Sequence, residues 1–151
     1  MTASNSSTGI SQRAADLAAL YERAGLDGAS GIIPTAAQWE TLLRSPRQGK
    51  IYLLSFFVFS ADPVAHMGEE SLKIYEDIDR QFGSSHFFSG AIQGTFTGNE
   101  EAIDWKDFNI KEFPNLQALI DFMTDPRLLQ MQKKRPGLVG KQRTIIVTPT
   151  E

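Results

Sequence analysis

The chain has 151 residues, 41% hydrophobic and 22% charged, with ten Phe, no cysteine and a formal net charge of −3. A chain of this length favours one principal domain with a real core. The absence of cysteine excludes disulfides, thiolate metal sites and thiol nucleophiles. Lys133-Lys134-Arg135 is the one basic run, so nucleic acid is not an expected partner.

Residues 1–11 are rich in Ser, Thr and Asn with almost nothing to bury, which predicts a disordered arm. This start has neither a basic region nor an apolar core and is not a secretory signal. No stretch is long enough to span a bilayer, and a cytoplasmic location without membrane attachment is the simplest expectation. Residues 12–46 form a helical extension. Leu17, Leu20 and Tyr21 share a helical spacing that ends at Gly25. A second helix starts at Thr35, which stands at capping-box distance from Gln38 ahead of Trp39, Leu42 and Leu43, and Ser45-Pro46 closes it.

The main domain covers residues 47–151. Its strongest strand is KIYLLSFFVFS, residues 50–60, apolar on both faces: Ile51, Leu53, Phe57 and Phe59 alternate with Tyr52, Leu54, Phe56 and Val58. Such a strand is central and covered twice. A helix follows over 69–82, with Ile74, Tyr75, Ile78 and Phe82 on one stripe. A glycine-containing strand is expected over 87–98. WKDFNIKEF, residues 105–113, then alternates, Phe108 and Ile110 on one face and Asp107, Asn109 and Lys111 on the other. Asn115 caps a helix carrying Leu116, Leu119, Ile120 and Met123. Asp125-Pro126 starts a short continuation to about Lys134. The last strand is expected over 143–149.

The order β-α-β-β-α-β predicts an α+β, ferredoxin-like sandwich with both helices on one face of an antiparallel sheet. The second apolar face of the first strand then needs a cover. A second copy of the same sheet supplies it, so a homodimer packed sheet to sheet is expected. The alternative cover is the helical extension.

Several segments together resemble the dimeric α/β-barrel superfamily over about residues 40–149: IYLLSFFVF, the helix with YEDI, WKDFNIKEFPN, MTDP and KKRPGL. The match is closest to its short proteins of unknown function, in which a strand ending in Phe-Pro precedes a helix ending in Asp-Pro. Members of the superfamily include cofactor-free monooxygenases of antibiotic biosynthesis, muconolactone isomerases and haem-degrading enzymes. The closest group often has Asn in the middle of the first strand, where this chain has Ser55. The two N-terminal helices have no counterpart in the shortest relatives.

Topology separates the two histidines: His66 falls in the loop above the first strand and His86 below the first helix, too far apart to share one metal within a subunit. The same reasoning brings His66, Asp104, Trp105, Asp107 and Arg135 to one rim. His66 or Asp107 is then the candidate general base, and Arg135 the partner of an anionic substrate or enolate. Tyr52 and Trp105 form an apolar wall, with Ser55 and Asn109 as further substrate-binding positions. A polar row on a central strand facing another sheet calls for a cavity, water or ligand. In the bland reading Arg135 is a helix-end cation, Trp105 is core, and the polar row and both histidines are solvated.

These features point to a cofactor-independent enzyme of isomerase, cyclase or monooxygenase type, moving a proton on a small hydrophobic cyclic or aromatic carbonyl compound. The alternative is a non-catalytic dimeric module that binds a ligand or a protein. Haem held by His66 or His86 is a third reading.

Overall fold

The computed structural model describes residues 7–28, 31–45, 48–98 and 105–150. Residues 1–6 of the expected arm, Pro46 of the expected helix stop, and Asp104 lie outside them. The chain divides into two compact units, residues 1–47 and 48–151.

The first unit has two helices, α1 (Ser7–Arg23) and α2 (Ala36–Leu43). The α2 cap is the expected reciprocal box: Thr35 Oγ1 accepts from the Gln38 amide at 3.2 Å, and Gln38 Oε1 accepts from the Thr35 amide at 2.9 Å. The first helix begins at Ser7, inside the stretch expected to be an arm. The reason is a polar tie that hydrophobic spacing does not register. Arg44 donates to Ser7 Oγ at 3.1 Å and pairs with Glu40 at 2.6 Å, while Ser11 donates to Glu40 at 2.9 Å. Ser7 and Ser11 stand one turn apart and so present both hydroxyls to one ion pair. Tyr21 and Trp39 are buried with ring centroids 6.5 Å apart.

The second unit carries a four-stranded sheet in the order β2-β3-β1-β4. Its strands are β1 (Ile51–Phe59), β2 (Ser85–Ala91), β3 (Asp107–Phe113) and β4 (Val139–Val147), and all neighbours are antiparallel. Between β1 and β2 run α3 (Pro63–Met67) and α4 (Glu69–Phe82). Between β3 and β4 run α5 (Leu116–Thr124), α6 (Pro126–Gln132) and a short 3-10 turn, Arg135–Gly137. Element order and class are those expected, with β1 and β3 central.

Three boundaries differ. The loop expected around His66 contains helix α3, which starts because Asp62 accepts from the Val64 amide and Pro63 occupies the first turn. β2 runs from 85 to 91 instead of 87 to 98, and Gly94 and Gly98 take positive φ beyond its end. β4 begins at Val139, four residues early. Gly140 lets it pass close to β1: a Cβ there would lie 3.0 Å from Ser60 Oγ.

The segment after β3 forms as its caps require. Asn115 Oδ1 accepts from the Ala118 amide at 2.8 Å, and α5 runs to Thr124. Asp125 then accepts from the Arg127 amide at 2.8 Å with Pro126 first in α6. The helix layer lies on the sheet face that holds Ile51, Phe57 and Phe113. Phe113 is 0% exposed and meets Phe122 of α5 edge-on at 5.3 Å.

Candidate functional site

Residues two apart on a strand share a face, so Phe113 fixes the side taken by Asp107, Asn109 and Lys111. That side faces the helices. The expectation that this polar row looks toward a second sheet is therefore corrected: Phe108 and Ile110 point to the open face instead. The register carries the row across the sheet, with Ser89 opposite Asn109, Asn109 opposite Ser55, and Ser55 opposite Thr144. Asp107 and Gln142 flank Phe57 in the next row. A helix-covered sheet normally buries an apolar layer here, and hydroxyls and amides in its place need partners.

Some partners lie in the sheet itself. Ser55, only 7% exposed, bonds Thr144 Oγ1 through its hydroxyl at 2.9 Å. Gln142 donates to Thr144 Oγ1 at 3.0 Å and accepts from Arg135 at 2.8 Å. The Arg135 guanidinium lies 5.7 Å from the Phe57 ring centroid. Thr144 is exposed and Gln142 half-buried, so the row opens to solvent along edge strand β4.

Lys111 is the buried cation of the site, at 8% exposure. Its ammonium pairs with Asp79 of α4 at 2.6 Å and lies 3.9 Å from the Phe122 centroid and 5.9 Å from that of Tyr75. Burial pushes its pKa below the ordinary lysine value; Asp79 opposes that shift, and the charge of Arg135 adds to it. Ser84 also donates to Asp79, at 2.5 Å. Three buried polar atoms of this unit have no hydrogen-bond partner among the described residues: Tyr75 Oη, Gln132 Oε1 and Arg135 Nε.

His66 stands beside the turn that carries Arg135. Its Nε2 is 2.9 Å from the Lys134 carbonyl oxygen, which can only accept, so the ring donates. A Cβ on Gly137 would lie 3.0 Å from His66 Cε1. His86 is opposite Lys111 on β2, at the far end of the sheet from the Phe57–Asp107 row. Partial desolvation, then the Lys111 charge, holds it below the ordinary histidine value although the residue stands on an exposed edge.

The sheet thus divides the residues picked from sequence. Ser55, Asp107, Asn109 and Arg135 gather on the helix side, with His66 behind Arg135. Tyr52 and Trp105 are on the open face: Tyr52 meets Phe87 at 6.1 Å and bonds Glu112 at 3.2 Å, while Trp105 meets Phe56 at 5.9 Å. Trp105 precedes the first residue of β3, so strand parity does not govern it. Lys111, Tyr75, Gln142 and Thr144 are not among the candidate site residues picked from sequence, although the alternation of β3 puts Lys111 in the polar row and Tyr75 lies on a helix stripe. Lys111 was available from parity with Asp107 and Asn109, whereas Gln142 lay outside the expected last strand. Among the described residues no group of three His, Asp or Glu side chains gathers to hold a metal, and no helix is long and apolar enough to cross a membrane.

The strand order and the two β-α-β crossovers decide the class. The fold is ferredoxin-like. A protein of unknown function from Rhodopseudomonas palustris superposes with a TM-score of 0.65 at 20% identity, covering 80% of this chain and 97% of that one. Its methylated form gives 0.65 at 21% identity, over 80% and 95%. A dabb-family protein with a ferredoxin-like fold from Mesorhizobium loti gives 0.45 at 17%, over 69% and 100%. No protein-family model and no curated protein matches the chain.

Proposed function

We propose that the helix side of the sheet binds a small apolar cyclic or aromatic carbonyl compound and that the protein moves a proton on it without a cofactor. The observation that carries this reading is the set of unpartnered buried atoms, Tyr75 Oη, Gln132 Oε1 and Arg135 Nε, in the unit that holds the cross-sheet polar row. Each such atom costs free energy unless something bonds it; a ligand's carbonyl oxygen accepts from Tyr75 Oη and Arg135 Nε, whereas Gln132 Oε1 is itself an acceptor and needs a donor. Arg135 is the partner for a carbonyl oxygen that becomes anionic, and Asp107, on the same face, is the base. His66 has its Nε2 committed to Lys134 and serves by fixing the Arg135 turn.

The test follows deuterium incorporation next to the carbonyl of cyclohexanone and acetophenone in D2O by NMR. Wild-type protein accelerates exchange, and Asp107→Asn and Arg135→Ala each reduce it at least tenfold with the fold intact. Exchange no faster than in buffer, or unchanged in both variants, defeats the enzymatic reading.

A second reading, ligand binding without chemistry, is favoured by two commitments: His66 to Lys134 and Lys111 to Asp79. Thermal shifts with the same compounds that depend on Arg135, without exchange, would select it. In both readings the open face is covered by a second copy. That face carries Phe88 at 53% exposure and Ile145 and Val147 at 39% each, beside Phe56 and Phe108. Apolar surface of this extent on one face favours burial against an identical sheet.

A further inference from the structure

The register of the open face sets apart two charges that cannot meet within one chain. Glu112 lies opposite Tyr52 and Arg143 opposite Phe56, so both side chains point away from the helices. Between them lie two strand spacings, β3 to β1 to β4, and four residues along the strands, a separation of about 17 Å. Among the described residues Glu112 is the one acid that the strands place on this face. Lys50 and Tyr52 both bond it through Oε1, at 2.8 and 3.2 Å, so Oε2 is left to accept from another donor. Of the β4 cations here, Lys141 stands over the Trp105 ring at 4.4 Å, whereas Arg143 is exposed and has no partner among the described residues.

The midpoint between the two charges is Leu54. It pairs with Ile110, two residues from Glu112, on one side and with Ile145, two residues from Arg143, on the other. Phe88 extends the same row across β2. The face is therefore apolar at its centre, with an acid at one end of the diagonal and a cation at the other. A two-fold axis over Leu54, lying between two such sheets and perpendicular to that diagonal, exchanges the two ends. It sets one protomer's Arg143 opposite the partner's Glu112, twice. The strands then cross at roughly 70°, nearer the orthogonal than the aligned class of sheet packing. Extended arginine and glutamate side chains together span the roughly 10 Å between stacked sheets.

We infer that the occupant of the open face is a second copy held in this crossed arrangement, in which each Arg143 pairs with the partner's Glu112. An arginine closed under an apolar sheet without a counterion opposes association, and the partner's Glu112 supplies that charge as a planar pair of oxygens for the guanidinium fork. An unrelated protein would have to present both charges at the same spacing, whereas a second copy has them by symmetry. The pairing rests on the face-to-face dimer proposed above and fixes its orientation.

The experiment weighs full-length Arg143→Glu, Glu112→Arg and their equimolar mixture by light scattering, with far-UV circular dichroism as the check on folding. Each variant alone sets like charges together at both ends and dimerises at least about tenfold more weakly than wild type. Mixed, the two form a heterodimer in which both pairs are again of opposite sign, and the dimer mass returns. Single variants as dimeric as wild type overturn the inference, and so does a mixture that stays monomeric. If Glu112→Arg does not fold, the dimer dissociation constants of Arg143→Ala, Glu112→Gln and the double variant take its place. A double variant no weaker than the worse single one supports the pair, and losses that multiply overturn it. A wild-type monomer removes the face-to-face dimer itself, whereas a wild-type dimer indifferent to these changes removes only the pairing.

Discussion

The ring of His66 donates across 2.9 Å to the carbonyl of Lys134, the residue before Arg135. The same ring occupies the space that a side chain at Gly137 would need, with 3.0 Å to a Cβ built there. Both ends of the turn that aims Arg135 are therefore set by one side chain arriving from α3.

This pairing predicts non-additive substitutions. Gly137→Ala overpacks the turn and costs about 1–3 kcal/mol in urea unfolding. In a His66→Ala background the added methyl has room, and most of that cost disappears. For ligand binding, His66→Ala weakens affinity several-fold while His66→Gln, which keeps a donor, restores part of it. Equal Gly137→Ala costs in both backgrounds would show that the ring does not fix the turn.

The Lys111–Asp79 pair is buried on both sides, with side chains 11% and 14% exposed. Removing only the acid, in Asp79→Asn, strands an ammonium and costs about 3–5 kcal/mol. Replacing both, as Lys111→Met with Asp79→Leu, costs far less, and the cost that remains comes mainly from the lost bond from Ser84. The pH dependence has a definite sign. Burial lowers the Lys111 pKa in the folded state, so stability rises with pH between that lowered value and the ordinary lysine value near 10.5. The penalty of Asp79→Asn against wild type therefore shrinks in alkaline denaturation curves, since a neutral amine needs no counterion.

Asp125 caps α6 and pairs with Arg127 at 2.9 Å. Hydrogen bonding from the Arg127 side chain, more than any other cause, holds its carboxyl below the usual aspartate value. Its stabilisation is present above the ordinary aspartate pKa and is lost as pH falls through the lowered folded value. Asp125→Ala should cost about 1–2 kcal/mol at neutral pH, and less in acid. Asp125→Asn keeps a cap and loses less, as thermal melts across pH would record.

Charging the open face tests the proposed pairing of sheets. Phe88→Asp with Ile145→Asp should halve the mass seen by light scattering and leave far-UV circular dichroism unchanged. A wild-type monomer would remove the dimer from the reading altogether.

The helical starts were legible because a cap is local: Thr35, Asn115 and Asp125 bond amides two or three residues away. β1 was legible through its continuous apolar run, and the element order followed from turn residues. The helix start at Ser7 was not, because Arg44 and Glu40 hold it through bonds that span 37 and 29 residues. The early start of β4 was equally hidden, since it depends on Gly140 meeting the β1 backbone.

For the site the division is similar. Alternation along β3 put Asp107, Asn109 and Lys111 on one face by sequence alone, since a strand has period two whatever surrounds it. Which layer that face meets was decided by the burial of Phe113 against Phe122, a contact between elements. Parity alone set Tyr52 across the sheet from Ser55, whereas packing brought Trp105 against Phe56 on that open face and Thr144, bonded by Gln142, beside Ser55. Local chemistry determined the strands, caps and parity of this protein. Only tertiary packing chose the face that carries the site, because parity groups side chains without saying which side becomes the inside.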